Sequence, residues 1–161
     1  MAMIESKLQA LGLVLPAPMQ LPPGVVLPFP WVRVHGNRAF VSGHAAQNAD
    51  GSLAAPLGKV GLDVTPEQAQ QSARLVAVSI LASLKRELGD LDRVSAWLRV
   101  FGMVNSAPGF KQQPVVINGF SHLIVELYGA HRGQHARSAV GMAELPFGIA
   151  VEIEAEVAID S

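Results

Sequence analysis

The sequence predicts a single α+β domain of order β-β-α-β-α-β-β, with two helices on one face of a mixed sheet. Three observations carry this prediction. A strongly signalled helix starts at Thr65, a second amphipathic stretch runs from Pro114 to Tyr128, and a strictly alternating strand closes the chain from Val151 to Ile159. Two helices that arrive as crossovers between strands favour covering one face of the sheet, which leaves the other face in need of a partner.

The elements follow in order. Ile4, Leu8 and Leu11 recur at helical spacing before Gly12, which suggests a short amphipathic helix. Pro16, Pro18, Pro22, Pro23, Pro28 and Pro30 then hold an extended segment that can be neither helix nor central strand. Residues 1–26 are read as this helix and extension, part of one domain spanning 1–161. Trp31 to His35 and Arg38 to Ser42 are two short strands. Gly36-Asn37 between them suits a two-residue hairpin, because both residues tolerate positive φ. Gly43 to Gly61 is loop, with a turn signal at Asn48-Ala49-Asp50-Gly51.

Thr65-Pro66-Glu67-Gln68 combines a capping residue, proline at the first helical position and the glutamine of a capping box. Ala69, Ala73, Val76, Ala77, Ile80, Leu84 and Leu88 form one face, and Gly89 stops the helix. Asp92 to Val104 reads as a strand with Trp97, Arg99, Phe101 and Met103 on one side. After a break at Ser106-Ala107-Pro108-Gly109, the second helix directs Val116, Phe120, Leu123 and Leu127 inward, and Gly129 to Gln134 is loop.

The last two strands carry the candidate chemistry. His135 to Ala143 and Val151 to Ile159 read as neighbours joined by a turn at Pro146-Phe147. With Val151, Ile153 and Val157 facing the helices, Glu152, Glu154 and Glu156 face the uncovered side. Val140 and Met142 match the helix side, which sends Arg137, Ala139, Gly141 and Ala143 to the glutamate side. In that register Glu152 lies opposite about Gly141, four residues or ~13 Å along from Arg137, so the two would flank a small ligand without touching.

Composition excludes several alternatives. The chain has no cysteine, so disulfides, thiolate metal sites and cysteine nucleophiles are ruled out. Its 12 basic residues are scattered and the net charge is −1, against the basic patch expected of a nucleic-acid binder. The five histidines are read as loop or surface residues and not as metal ligands, and His135 stands out only for its nearness to Arg137. No apolar run reaches membrane-spanning length and no secretory signal is visible, which points to a cytoplasmic protein. Half of the residues are hydrophobic, more than a small monomer comfortably hides, and this hints at an oligomer.

Ala136-Arg137-Ser138-Ala139-Val140, Leu145-Pro146 and Val151-Glu152-Ile153-Glu154-Ala155 together resemble the signature region of the RidA/YjgF family of imine deaminases, also described as L-PSP endoribonucleases. Gly36-Asn37, Phe40-Val41-Ser42-Gly43 and Asn118 extend the resemblance over most of the chain, and Phe101 to Ser106 matches a less studied branch. The resemblance implies a chorismate-mutase-like fold and a homotrimer packed through the uncovered sheet faces, with active sites in the clefts between subunits. It implies that Arg137 binds a substrate carboxylate and that Glu152 positions water for attack on an imine carbon. Asn118 and Gly43 line the pocket, together with Phe29 and Ala139, and no metal or cofactor is required.

Two positions depart from the family pattern. Phe29 stands where a tyrosine is usual, so a hydroxyl is missing, and Ala139 stands where a cysteine is frequent. The expected activity is hydrolysis of 2-imino acids to 2-oxo acids. The alternatives are a regulatory trimer that binds small carboxylates without turnover, and an endoribonuclease or translation inhibitor.

Overall fold

The computed structural model describes residues 3–160. Helix α1 (Met3–Ala10) precedes the hairpin of β1 (Val32–His35) and β2 (Arg38–His44). Then come α2 (Pro66–Leu88), β3 (Val94–Asn105), α3 (Gln113–Gly133), β4 (Ala136–Met142) and β5 (Val151–Ile159). The five strands form one mixed sheet in the order β1-β2-β5-β3-β4. Both helical crossovers lie on the same face, as expected for connections of one hand.

The local signals were accurate. Thr65 caps α2 with both bonds of the capping box in place, and Gly89 ends it in the left-handed region at φ 79°. Gly36, at φ 59°, turns the β1–β2 hairpin, in which His35 pairs with Arg38. Ile4 and Leu8 bury the inner face of α1, whose first amides are capped by the Asp92 carboxylate. Helix α3 runs further than expected. It continues past a non-helical Gly129 to Gly133, taking up residues read as loop.

Strand β5 occupies the centre, antiparallel to both β2 and β3. Val151, Ile153, Ala155, Val157 and Ile159 are buried toward the helices. The neighbouring strands keep their register against it only with bulges. In β3 the pairing passes from Trp97↔Val157 to Arg99↔Glu156, so one extra residue, Leu98, is accommodated. This corrects the expected single face of Trp97, Arg99, Phe101 and Met103. Trp97 turns under the helices, with its ring centroid 5.7 Å from that of Phe120 and 5.8 Å from that of Tyr128, whereas Arg99 and Phe101 line the opposite face.

The expected neighbourhood of the last two strands is also overturned. β4 pairs in parallel with β3 at the sheet edge, and β3 separates it from β5. Residues 143–150 are therefore not a hairpin turn but a connection that passes β3. The parity of β4 reverses with it. Arg137 pairs with the buried Val100, and Ala139 with Gly102, beneath α3; Val140 pairs with Met103 on the other face. Ala139 accordingly packs against the main core instead of standing beside Glu152.

Two glycines admit close approach of α3. A Cβ on Gly102 would stand 2.6 Å from Ile117 Cγ1, and one on Gly119 would stand 2.0 Å from the Gln70 carbonyl oxygen of α2. Gly119→Ala is expected to force the helices apart and to cost about 3 kcal/mol, read as a lower urea midpoint with an unchanged slope.

Candidate functional site

The candidate site residues form two separate groups on the chain. The first lies at the sheet edge, where the second residue of β4 meets the first turns of α3. Arg137 Nη1 donates to Asn118 Oδ1 at 2.9 Å and to Ser121 Oγ at 3.1 Å, and Nη2 donates to the Pro114 carbonyl at 3.3 Å. Pro114, Asn118 and Ser121 follow the helical period, so one stripe of α3 holds the guanidinium. Among the described residues no carboxylate lies within ion-pair distance of Arg137.

His135 completes a directional chain. Its Nδ1 faces the Gly133 carbonyl at 2.7 Å and must carry the proton, which leaves Nε2 to accept from the Ser121 hydroxyl at 2.9 Å. The Ser121 oxygen then keeps its lone pairs toward Arg137. Burial lowers the His135 pKa, the bond to Gly133 works against this, and nearby Arg137 lowers it further. The ring therefore stays neutral at neutral pH and keeps its acceptor. Asn118, Ser121, Gln134, His135 and Arg137 border an open hollow of about 420 Å³.

The second group lies across the sheet. Glu152 is level with Met103 of β3, whereas Arg137 is level with Val100, and β3 stands between them. That separates their backbones by roughly 10 Å across the strands and roughly 10 Å along them. Their side chains leave opposite faces, so one chain cannot bring them onto one small molecule.

A bulge in β2 shapes the surroundings of Glu152. Pairing passes from Val41↔Ala155 to His44↔Ile153, which leaves Ser42 and Gly43 bowed toward the other face. A Cβ on Gly43 would stand 3.0 Å from Glu152 Cδ, so the missing side chain is what lets the carboxylate lie against the strand. Burial raises the Glu152 pKa, and the charge of Glu154 adds to the effect. Glu152, Gly43 and Phe29 line a cavity of about 330 Å³, roofed by the N-terminal segment through Met19, Val25 and Leu27 and flanked by Phe147.

The structure thus brings Arg137 to Asn118 within one chain, and Phe29 and Gly43 to Glu152. Ala139 joins neither group. Ser121 was missed in the sequence, although its i+3 spacing from Asn118 was available as a signal. The apolar roof was also missed, because a proline-rich segment has no periodicity to say which way its side chains turn.

Metal-type ligands converge elsewhere among the described residues, at Glu5, Asp90 and Asp92. Each serves the fold: Asp92 caps α1, Glu5 pairs with Lys85 at 2.7 Å, and Asp90 accepts from the Asp92 amide. No described helix is long and apolar enough to cross a membrane.

No family model matches the chain. Protein TCP17 of Trypanosoma cruzi is 37% identical over 158 residues, which is 98% of this chain and 95% of that protein. A solved protein of unknown function from Agrobacterium tumefaciens is 41% identical, covers 99% of this chain and 93% of its own, and superposes with a TM-score of 0.87. A Shewanella oneidensis MR-1 protein, provisionally named an endoribonuclease, is 25% identical over 97% of this chain and 99% of its own, with a TM-score of 0.85. The Escherichia coli YjgF gene product shares the fold at 19% identity and a TM-score of 0.60, over 90% of this chain and 97% of its own. The sheet order and these likenesses define an α+β protein of the chorismate-mutase-like fold. Within that class the chain belongs to the RidA/YjgF family.

His44 ties the group around Glu152 to α2. It is buried, its Nδ1 faces the Ser42 carbonyl, and its Nε2 lies 2.8 Å from Ser83 Oγ, which also accepts from Arg86. Burial holds its pKa down at about 4, against 6.5 when unfolded. The neutral ring therefore contributes stability that is complete above pH 6.5 and is lost as pH falls toward 4, on the order of 3 kcal/mol. Denaturation midpoints between these pH values should show the decline, and His44→Gln should flatten it.

Proposed function

We propose that the protein hydrolyses 2-imino acids, or their enamine tautomers, to 2-oxo acids at clefts between the subunits of a homotrimer. The observation that carries this reading is the division of the site. A cation with no carboxylate partner among the described residues sits at one edge of the chain, and a half-buried carboxylate with a raised pKa sits on the opposite face. Joining them requires a second chain. The uncovered sheet face, with Phe40 and Phe101 set among Arg33, Arg99, Glu154 and Glu156, supplies an amphipathic surface for that contact.

Arg137 spends three of its five N–H donors on Asn118, Ser121 and Pro114. The remaining Nε–H and one Nη2–H form a fork for a substrate carboxylate, with the guanidinium already oriented. Glu152 of the neighbouring chain then faces the C=N carbon. It takes a proton from water as the oxygen adds to that carbon, and returns a proton to nitrogen as the C–N bond breaks. The products are the 2-oxo acid and ammonia. A carboxylate whose pKa is raised by burial is suited to both transfers near neutral pH. Phe29 has no hydroxyl to share this work, so it falls to Glu152.

With imines generated in situ and trapped by semicarbazide, Arg137→Ala should lower kcat/KM by roughly 10- to 100-fold. Glu152→Gln should lower kcat while 2-oxo acid binding persists. It should also remove an acid limb that lies above the ordinary glutamate range. Refolding an equal mixture of the two variants should restore about a quarter of wild-type activity if each site draws its arginine and its glutamate from different subunits. No recovery in a mixture of confirmed mixed trimers overturns the shared site, and wild-type turnover by Arg137→Ala overturns the reaction.

A further inference from the structure

The cavity beside Glu152 is more than a passage to the carboxylate. Its roof is fastened at several points. Arg86 Nη1 donates to the Pro16 carbonyl at 3.1 Å, the Ala17 amide to Ala49 at 2.9 Å, and the Gln20 amide to Gly51 at 3.0 Å. The fit is close at Gly51, where a Cβ would stand 2.2 Å from the Pro18 carbonyl oxygen. The proline-rich segment is therefore seated on the body of the protein, and Met19, Leu21, Val25 and Leu27 face the sheet from fixed positions.

The opposite rim is also built at a conformational cost. Phe147 is the one non-glycine among the described residues with positive φ, at 59°, in the turn Pro146–Gly148. Bonds from the Gly58 amide to the Gly148 carbonyl and from the Gly148 amide to Leu145 hold that turn. A bulky side chain kept in the left-handed region is a disfavoured arrangement that the surrounding structure must sustain. Here it places an aromatic ring, itself 61% exposed, at the mouth of the cavity.

Among the lining residues Glu152 is the only ionisable one, and the rest of the wall is apolar or aromatic. At about 330 Å³ the space lies within the range of small-molecule sites, ~300–1,000 Å³. A methyl group would leave most of it empty. On the proposed function, the carboxylate is held at Arg137 of one chain and the C=N carbon stands at Glu152 of the next, so the substituent on that carbon points into this cavity.

We propose that the cavity is a side-chain subsite, and that the protein acts on 2-imino acids with bulky apolar side chains, branched aliphatic or aromatic, in preference to small ones. This rests on the imine-hydrolysis reading above. The N-terminal segment is then part of the specificity apparatus, and Val25 and Phe147 set the size and apolarity of what enters.

The test compares imines made in situ by an amino-acid oxidase from leucine, phenylalanine and alanine, with catalase present and semicarbazide as competitor. The wild type should process the leucine and phenylalanine imines with kcat/KM at least about tenfold above the alanine imine, the scale on which apolar pockets separate side chains. Val25→Trp, which fills the cavity, should bring the ratio toward parity or invert it, chiefly through KM. Phe147→Gly relieves the left-handed backbone, so folding is retained, and it should also shrink the preference by opening the wall. Equal or reversed preference in the wild type overturns the inference and leaves imine hydrolysis standing. A preference undiminished in both variants overturns the role of the cavity. Absence of turnover with all three imines overturns the proposed function and this inference with it.

Discussion

The register of β5 against its two neighbours is the constraint on which the rest of this structure depends. Its alternation sends five apolar side chains under α2 and α3 and three glutamates to the opposite face. A slip of one residue would exchange the two sets, burying carboxylates in a hydrocarbon layer, and that cost holds the register firmly. β2 and β3 must match this strand while meeting their own demands, and they do so through bulges, one in β2 and two in β3. The bulge at Leu98 frees Trp97 to enter the core. The bulge at Ser42-Gly43 lets His44 reach Ser83 of α2 and brings a bare stretch of backbone against Glu152.

The two candidate charges are prepared by different means. Arg137 is held by neutral acceptors of one helix, so its charge is oriented without being cancelled. Ser121 can accept from it because His135 takes the hydroxyl proton. Glu152 is prepared by desolvation, with Glu154 adding like-charge repulsion. An oriented cation and a carboxylate reluctant to ionise form a useful pair only when both reach one ligand. The sheet keeps them apart within the chain, which couples the proposed activity to assembly. The cavity beside Glu152 would then make the N-terminal segment a determinant of substrate choice.

Local signals in the sequence were strong where one element could satisfy them alone. The capping box at Thr65, the stop at Gly89, the Gly36-Asn37 turn and the period of β5 each name a structure in a few residues. The candidates Arg137, Glu152, Asn118 and Gly43 were named through a motif resemblance and not through geometry. The parity of β4 was not legible, because it depends on the strand with which β4 pairs. Residues 143–150 suit a hairpin as readily as a longer connection, and parallel pairing with β3, led in by α3, prevailed and reversed the faces. Ala139 was misplaced for that reason.

The sequence by itself determined where α2, the β1–β2 hairpin and β5 lie, which face of α2 and of β5 is apolar, and which ionisable residues stand in a recognisable frame. These properties follow from side-chain spacing and backbone preference within a few residues of one another. Tertiary structure alone decided that Arg137 lies under α3 while Glu152 lies across the sheet, that Trp97 turns inward, and that a proline-rich segment roofs a cavity. Those outcomes depend on strand order, bulges and long-range hydrogen bonds such as Arg86 to Pro16, where contacts distant in the chain compete for the same backbone.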